Sequence, residues 1–346
     1  MATKKKSSKK TTARSKTTSP QRILEMVWDF TKPLMVEAAI RNRVFDVLSD
    51  SPKNLEQIAD ATGASERGLR ALLGALVGIG LLGRKGARYQ LSPDVAAFLV
   101  TTKPSFMGGL FLHGSSRLIP NWLHLAEIVH TGKPASRAND SDEGSKFFAE
   151  FVEDIFNMSY RSAQVAAAAI VKKAKQPVSV LDIAAGSGVW GIAMAEESSH
   201  VRVTAVDWAG VIPVTKRVAA KHGVADRFSY VAGDILEVDL GHDHQVATLG
   251  HILHSEGAER SRKLLERVFA ALASGSSIVI AEFTPDEDRR GPATPLIFGV
   301  NMLVNTDHGD VFTFNEIKSW LKAAGYRKVR KLKAAGPSPL ILADKP

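Results

Sequence analysis

Two histidines three residues apart, His251 and His254, stand in the stretch "GHILHSEGAE", directly after the apolar residues Val246, Ala247 and Leu249. An imidazole has a reference pKa of about 6.5 and is a usable general base near neutral pH. A histidine at the end of a strand is therefore a candidate to take a proton from a hydroxyl group. The next apolar run, "IVIAEF", closes on Glu282. If the two runs are adjacent parallel strands, both side chains reach the same sheet edge. A carboxylate there can fix the tautomer of the ring and stabilise the imidazolium. The plainer reading is that the histidines end one strand and Glu282 caps or solvates the next.

A second constellation lies upstream. "LDIAAGSGVWG" sets Gly186, Gly188 and Gly191 as G-x-G-x-x-G between an apolar run and a helical pattern, and Asp207 closes the following run, "VRVTAVD". Glycines let the backbone approach a ligand closely, and a carboxylate can accept hydrogen bonds from two vicinal ribose hydroxyls. So far the pattern fits a nicotinamide dinucleotide as well as another ribose-bearing ligand. Asp182 directly precedes the turn. A carboxylate at the mouth of the site repels a pyrophosphate and suits the ammonium or sulfonium of S-adenosylmethionine. In "VAGDI", Asp234 falls near the position of an adenine amino group. Asp182, Asp207 and Asp234 at three successive strand ends make an acidic rim for a cofactor.

These residues need elements to hold them. From Pro177 onward, short apolar runs alternate with helical patterns, which reads as a doubly wound, parallel, Rossmann-like sheet with its ligand crevice at the carboxyl edge. Residues 103–175 read as mostly helical. Trp122 lies on one apolar face, and Phe147, Phe148, Phe151, Ile155 and Phe156 lie on another. Together with Met158, Phe298, Met302 and Phe312 these are either core or the wall of a slot for a flat apolar ligand.

Residues 21–102 read as helices followed by a hairpin. Gly63 marks a turn, Ser65 is an N-cap, and Leu69, Leu72, Leu73, Leu76 and Val77 lie on the next helix. "RKGAR" is the hairpin turn, with Tyr89 and Leu91 on the returning strand. This is a winged helix. Its second helix offers only Arg67 and Arg70 as cations, whereas a reader of the major groove needs several polar side chains. It is expected to serve packing or dimerisation rather than DNA reading.

The 346 residues, 45% hydrophobic and 23% charged, suffice for two domains of a soluble globular protein. There is no membrane-length apolar run and no secretory leader pattern, and a cytoplasmic location is expected. Without cysteine there are no disulfides, thiolate metal sites or cysteine nucleophile, and no metal site is expected. The net charge of +9 belongs to the tail: residues 1–20 hold seven cations and no acid, leaving +2 for the rest. That segment reads as disordered and solvated, making at most weak contacts with nucleic acid or anionic surfaces.

Over residues 22–345 the winged helix, the helical connector and the motifs "VLDIAAGSG", "VTAVDW", "VAGDI" and "ILHSE" resemble the class I S-adenosylmethionine O-methyltransferases of the caffeic acid and acetylserotonin type. The resemblance implies a homodimer joined through the winged-helix domain, with each such domain contributing to the partner's substrate pocket. It implies a cofactor site comprising Asp182, Gly186, Gly188, Asp207, Trp208, Gly233, Asp234, Ile235, Gly250 and Ser162. "NWLHLAEIVHTGKPA" and "MSYRS" match the family's connector, which places Met158, Ser159 and Ser162 beside substrate and cofactor.

A small aromatic or polyketide-like acceptor would then meet Trp122, Phe156, Met158, Phe298, Met302 and Asn305. His254 would be the general base, Glu282 would orient it, and His251 would be structural. The implied division is a tail (1–20), a dimerisation domain (21–102), a connector and pocket wall (103–175) and a cofactor-binding domain (176–346). Two departures stand out. The family's His-Asp-Trp is here His254-Ser255-Glu256, and Val311 stands where a second carboxylate is usual, with Asp307 and Asp310 nearby. Relatives that methylate carbon or nitrogen, or transfer no methyl, are the alternatives on this fold.

Overall fold

The computed structural model describes residues 18–138, 141–334 and 338–346. The basic tail expected over residues 1–20 lies almost wholly outside the described residues. The N-terminal domain contains the helices Gln21–Trp28, Thr31–Arg41, Val44–Leu48, Leu55–Thr62 and Glu66–Gly78, then a hairpin of β1 (Leu82–Lys85) and β2 (Arg88–Leu91). Local chemistry sets its boundaries. Asn54 and Gln57 form a reciprocal capping box, and the Ser65 hydroxyl accepts from Gly68 N at 3.2 Å.

Leu69, Leu73 and Leu76 turn inward against Ile58, Phe45 and Tyr89. These three leucines are therefore part of the domain's own core, whereas Leu72 and Val77 on the same helix are only partly buried. Large apolar side chains are instead exposed on the first helix and just beyond it, from Ile23 to Trp28 at 68% and Phe30 at 62%.

The connector runs through Gly109–His113, a π-helical turn at Gly114–Leu118, Ile119–Trp122, Leu125–Thr131, Ser141–Phe151 and Phe156–Ile170. It leads into a sheet of β3 (Val178–Ile183), β4 (Val201–Asp207), β5 (Phe228–Ala232), β6 (His244–Gly250), β7 (Leu272–Ala281), β8 (Arg327–Leu332) and β9 (Leu340–Asp344), in the order β5-β4-β3-β6-β7-β9-β8. The run from β5 to β7 is parallel throughout.

The expected all-parallel sheet needs correction at one edge, where β9 is antiparallel to both β7 and β8. The link between β8 and β9 is too short for the helical crossover that a parallel pair requires. Along each central strand the side chains alternate between two cores, Val180, Val246 and Val279 on one face and Leu181, Leu249 and Ile280 on the other. The chain moves outward from β3 to β5 and then returns beside β3 as β6. This reversal opens a crevice at the carboxyl ends of β3 and β6.

Candidate active site

The crevice encloses about 910 Å³, open solvent at its mouth included. Its floor is the turn Ala184–Ser187; Gly186 (φ 56°) within it and Gly188 (φ 78°) just after it take left-handed conformations and deliver the chain into the helix Val189–Glu197. Asp207 lines the crevice. Its Oδ2 accepts from Gly186 N and its Oδ1 from Trp208 N, each at 2.7 Å. A carboxylate has about four lone-pair positions, so two remain for vicinal hydroxyls. Burial raises the Asp207 pKa to about 6, opposed by those two backbone hydrogen bonds.

Trp208, Ile235 and Gly250 also line the crevice. At Gly250 the indole of Trp190 lies so close that a Cβ would sit 1.8 Å from its Nε1. Only glycine fits that wall. Phe148, Val152, Ile155 and Ser159 close the crevice from the connector.

Several expected contacts fall elsewhere. Asp182 is fully buried beneath the turn, where Oδ1 accepts from Thr248 Oγ1 at 2.7 Å and Oδ2 from Gly191 N at 2.9 Å. It ties the glycine turn to β6 and is not on the wall. Burial raises its pKa to about 7 against those two hydrogen bonds. Gly188 and Gly233 shape backbone and do not line the crevice. Ser159 lines it, whereas Ser162, one turn on, is buried behind. Asp234 does line it, but its Oδ1 already accepts from Leu236 N at 2.8 Å, and both oxygens accept from Arg260 Nη2 at 3.2 Å.

The two histidines separate cleanly. His254 Nδ1 lies 2.6 Å from Glu282 Oε1, and His254 N donates to Glu282 Oε2 at 3.1 Å. Phe283 N also donates to Oε1, at 2.9 Å. Glu282 is completely buried. Burial works to raise its pKa, but the charge and hydrogen bond of His254, with lesser help from His251 and Phe283 N, hold it below the usual glutamate value. An ionised carboxylate can only accept, so when the ring is neutral Nδ1 carries the proton and Nε2 keeps a free lone pair. Among the described residues Nε2 has no hydrogen-bond partner. Phe298 meets the ring edge-to-face at 4.8 Å, and the neighbours Ile252 and Ser255 line the crevice.

His251, expected to be structural, also lines the crevice. It takes a left-handed backbone (φ 61°), its Nε2 lies 2.7 Å from Ser338 Oγ, and burial pushes its pKa down to about 4.

On the acceptor side, Trp122 is joined to the helix Ala293–Asn305 by its Nε1, which donates to Asn301 Oδ1 at 3.0 Å. That helix carries Phe298 to His254, and Met302 lies buried one turn on. Met158 is half-buried beside Ser159. Two expectations are corrected here. Phe156 packs on Tyr160 and on His222, at 4.9 and 4.8 Å, as part of the core. The Asn305 amide is taken up by Asn121, Ser136 and Asn301, which fastens the connector to that helix. Of the two candidates for the absent second carboxylate, Asp307 pairs with Arg137 and Asp310 with Arg289, and Asp310 N donates to His254 O at 2.9 Å.

Sequence reasoning missed Trp190, Glu256 and Arg260 on the crevice wall. The i,i+4 spacing of Glu256 and Arg260 in "SEGAER" was the available signal.

The O-methyltransferase domain family matches residues 122–327, and the O-methyltransferase dimerisation domain family matches residues 24–102. The chain is 28% identical to 3-hydroxy-5-methyl-1-naphthoate 3-O-methyltransferase of Streptomyces sahachiroi, over 92% of each chain. It is also 28% identical to the tetracenomycin polyketide synthesis 8-O-methyl transferase TcmO of Streptomyces glaucescens, over 94% of this chain and 97% of the relative. Among solved structures, a putative O-methyltransferase from Nostoc punctiforme superposes with a TM-score of 0.88 at 29% identity, covering 95% of this chain and all of that one. These matches do not support the nicotinamide and DNA-reading alternatives. The chain belongs to the S-adenosylmethionine-dependent O-methyltransferases.

Proposed function

We propose that this chain methylates a hydroxyl group of a flat aromatic or polyketide-like acceptor, with His254 as the general base and Glu282 holding its ring. The observation that carries the reading is the His254–Glu282 pair, which holds the proton of a neutral ring on Nδ1 and leaves Nε2 without a hydrogen bond among the described residues; His254 itself is buried between Ile252 and Ser255, which line the crevice. The cofactor, when bound, supplies a methyl group already activated by its sulfonium charge. The chain must then supply position and a proton acceptor. Nε2 takes the acceptor's hydroxyl proton, and Glu282 stabilises the imidazolium that results. The glycine turn, Asp207 and the Trp190–Gly250 wall form the cradle that suits a ribose-bearing cofactor.

Phe298 and Trp122 suit a flat ring, and the naphthoate and tetracenomycin names of two relatives point to the same class of acceptor. No helix among the described residues is long and apolar enough to cross a membrane. A cytoplasmic homodimer, joined through residues 21–102, completes the proposal.

The test is a panel of phenolic, naphthoic and polyketide hydroxyl compounds with a labelled methyl donor. Turnover on such a hydroxyl is expected. His254→Ala should lower turnover roughly 10²–10⁴-fold with little change in cofactor affinity, and Glu282→Gln should cost less. A near-normal rate in His254→Ala across pH 6–9 would remove the histidine base, and turnover confined to carbon or nitrogen acceptors would remove the hydroxyl assignment.

A further inference from the structure

Glu256, Arg260 and Asp234 line the crevice but take no part in the proton transfer. They are joined to one another. Arg260 Nε donates to Glu256 Oε2 at 2.5 Å, and Arg260 Nη2 donates to both oxygens of Asp234 at 3.2 Å. Nε and Nη2 form one edge of the planar guanidinium. That edge is filled from two directions, by Glu256, just before the helical break at Gly257 (φ 73°), and by the segment after β5. A flexible side chain is thereby fixed in orientation. Nη1 makes no hydrogen bond among the described residues.

Ile235, buried next to Asp234, lines the same end of the crevice. This end follows β5, the strand beside β4, which ends in Asp207. Going outward from the glycine turn, the crevice thus offers a carboxylate suited to ribose, then an apolar side chain and a fixed planar cation. An uncharged heteroaromatic ring fits that last pair. Guanidinium groups pack on aromatic faces, and unlike an ammonium they present a plane. Glu256 stands where the family pattern has tryptophan, so the His-Ser-Glu departure places an ion-paired guanidinium on this wall.

We propose that the guanidinium of Arg260, pinned by Glu256 and Asp234, is the surface against which the adenine of the cofactor packs. The proposal rests on the reading of this crevice as the cofactor site.

The test uses the full chain and two ligands measured by calorimetry or competition: S-adenosylhomocysteine, and S-ribosylhomocysteine, which keeps the ribose and amino acid but lacks the base. Binding of S-adenosylhomocysteine to the wild type tests the cofactor reading by itself. In Arg260→Ala its affinity should fall roughly tenfold, while that of S-ribosylhomocysteine stays within about twofold. Arg260→Lys keeps the charge but not the plane and should fall nearly as far. An unchanged S-adenosylhomocysteine affinity in Arg260→Ala, or full rescue by lysine, overturns the proposal. So does an equal loss for both ligands, which would mean that Arg260 only holds the Asp234 segment in place.

Discussion

Two histidines of the same motif differ in how their ring nitrogens are engaged. His254 has one nitrogen tied to a buried carboxylate and the other open, whereas His251 is held neutral by burial and has Nε2 against Ser338. The choice between them was legible from the apolar pair before His254 and from Glu282 ending the next strand. That His251 reaches the crevice was not, because it depends on a left-handed backbone at a non-glycine residue. Asp207 leads to a pH prediction. Its folded pKa is raised to about 6, mainly by burial. A ligand that needs the ionised carboxylate for two hydroxyls competes with a proton below that value. Affinity for S-adenosylhomocysteine should be flat above pH 7 and fall as pH drops through 6, approaching tenfold per unit. Asp207→Asn should bind weakly with little pH dependence. Calorimetry from pH 5 to 8 decides, and an undiminished wild-type affinity at pH 5 would exclude Asp207 from the ribose role.

At the level of elements, the glycine turn is a fastening as much as a cradle. Asp182 joins β3 to Gly191 in the following helix and to Thr248 in β6, in a place without water. Asp182→Ala strands a buried N–H and a buried hydroxyl, each costing about 1–3 kcal/mol. Unfolding midpoints in urea should report a loss of about 2–4 kcal/mol, with cofactor affinity falling because the turn loosens. A loss below the cost of a single stranded group would place the carboxylate in the solvated position that its sequence context implied. The pH dependence has a definite sign. The folded pKa is raised to about 7 by burial, above the ordinary aspartate value. Between pH 4 and 7 the unfolded chain releases a proton that the folded chain keeps, so the wild type loses stability from this group as pH rises. Asp182→Asn lacks that dependence, and its stability deficit should shrink towards pH 7. The sequence showed an acid before a glycine turn but not which way it points. A side chain one residue inside the strand end faces the helix, and only the register of β3 with β6 decides that. Asn305 and Phe156 were misplaced for a related reason. Their residue types fit a pocket wall, but helix rotation turned them towards the connector and the core.

For the whole molecule, the alternation of apolar runs and helical patterns made the central parallel strands and their crevice readable, and Gly63, Ser65 and the hairpin turn did the same for the winged helix. The antiparallel β9 was not readable, because its position between β7 and β8 is a long-range pairing that no local pattern encodes. The leucine-rich helix Glu66–Gly78 was read from its residue types as a packing or dimerisation surface. A run of leucines signals burial without saying against what, and Leu69, Leu73 and Leu76 are already covered within the chain. Among the described residues Ile23, Leu24, Met26, Val27, Trp28 and Phe30 are all more than half exposed on one short segment, whereas Leu123, Val129 and Ile297 are exposed singly elsewhere. A patch of that kind on a soluble protein marks an interface, and it lies at the start of the region matched by the dimerisation family. Light scattering at micromolar concentration should therefore give twice the chain mass, with or without residues 1–17. Replacing Trp28 and Phe30 with glutamate sets charge where aromatic anchors were. Loss of such anchors typically costs 2 kcal/mol or more, about a 30-fold weaker association. The double variant should shift to monomer at concentrations where the wild type is dimeric, and its melting should become concentration-independent. A wild-type monomer, or a double variant as dimeric as the wild type, would move the interface away from this segment and leave its six exposed apolar side chains in need of another cover.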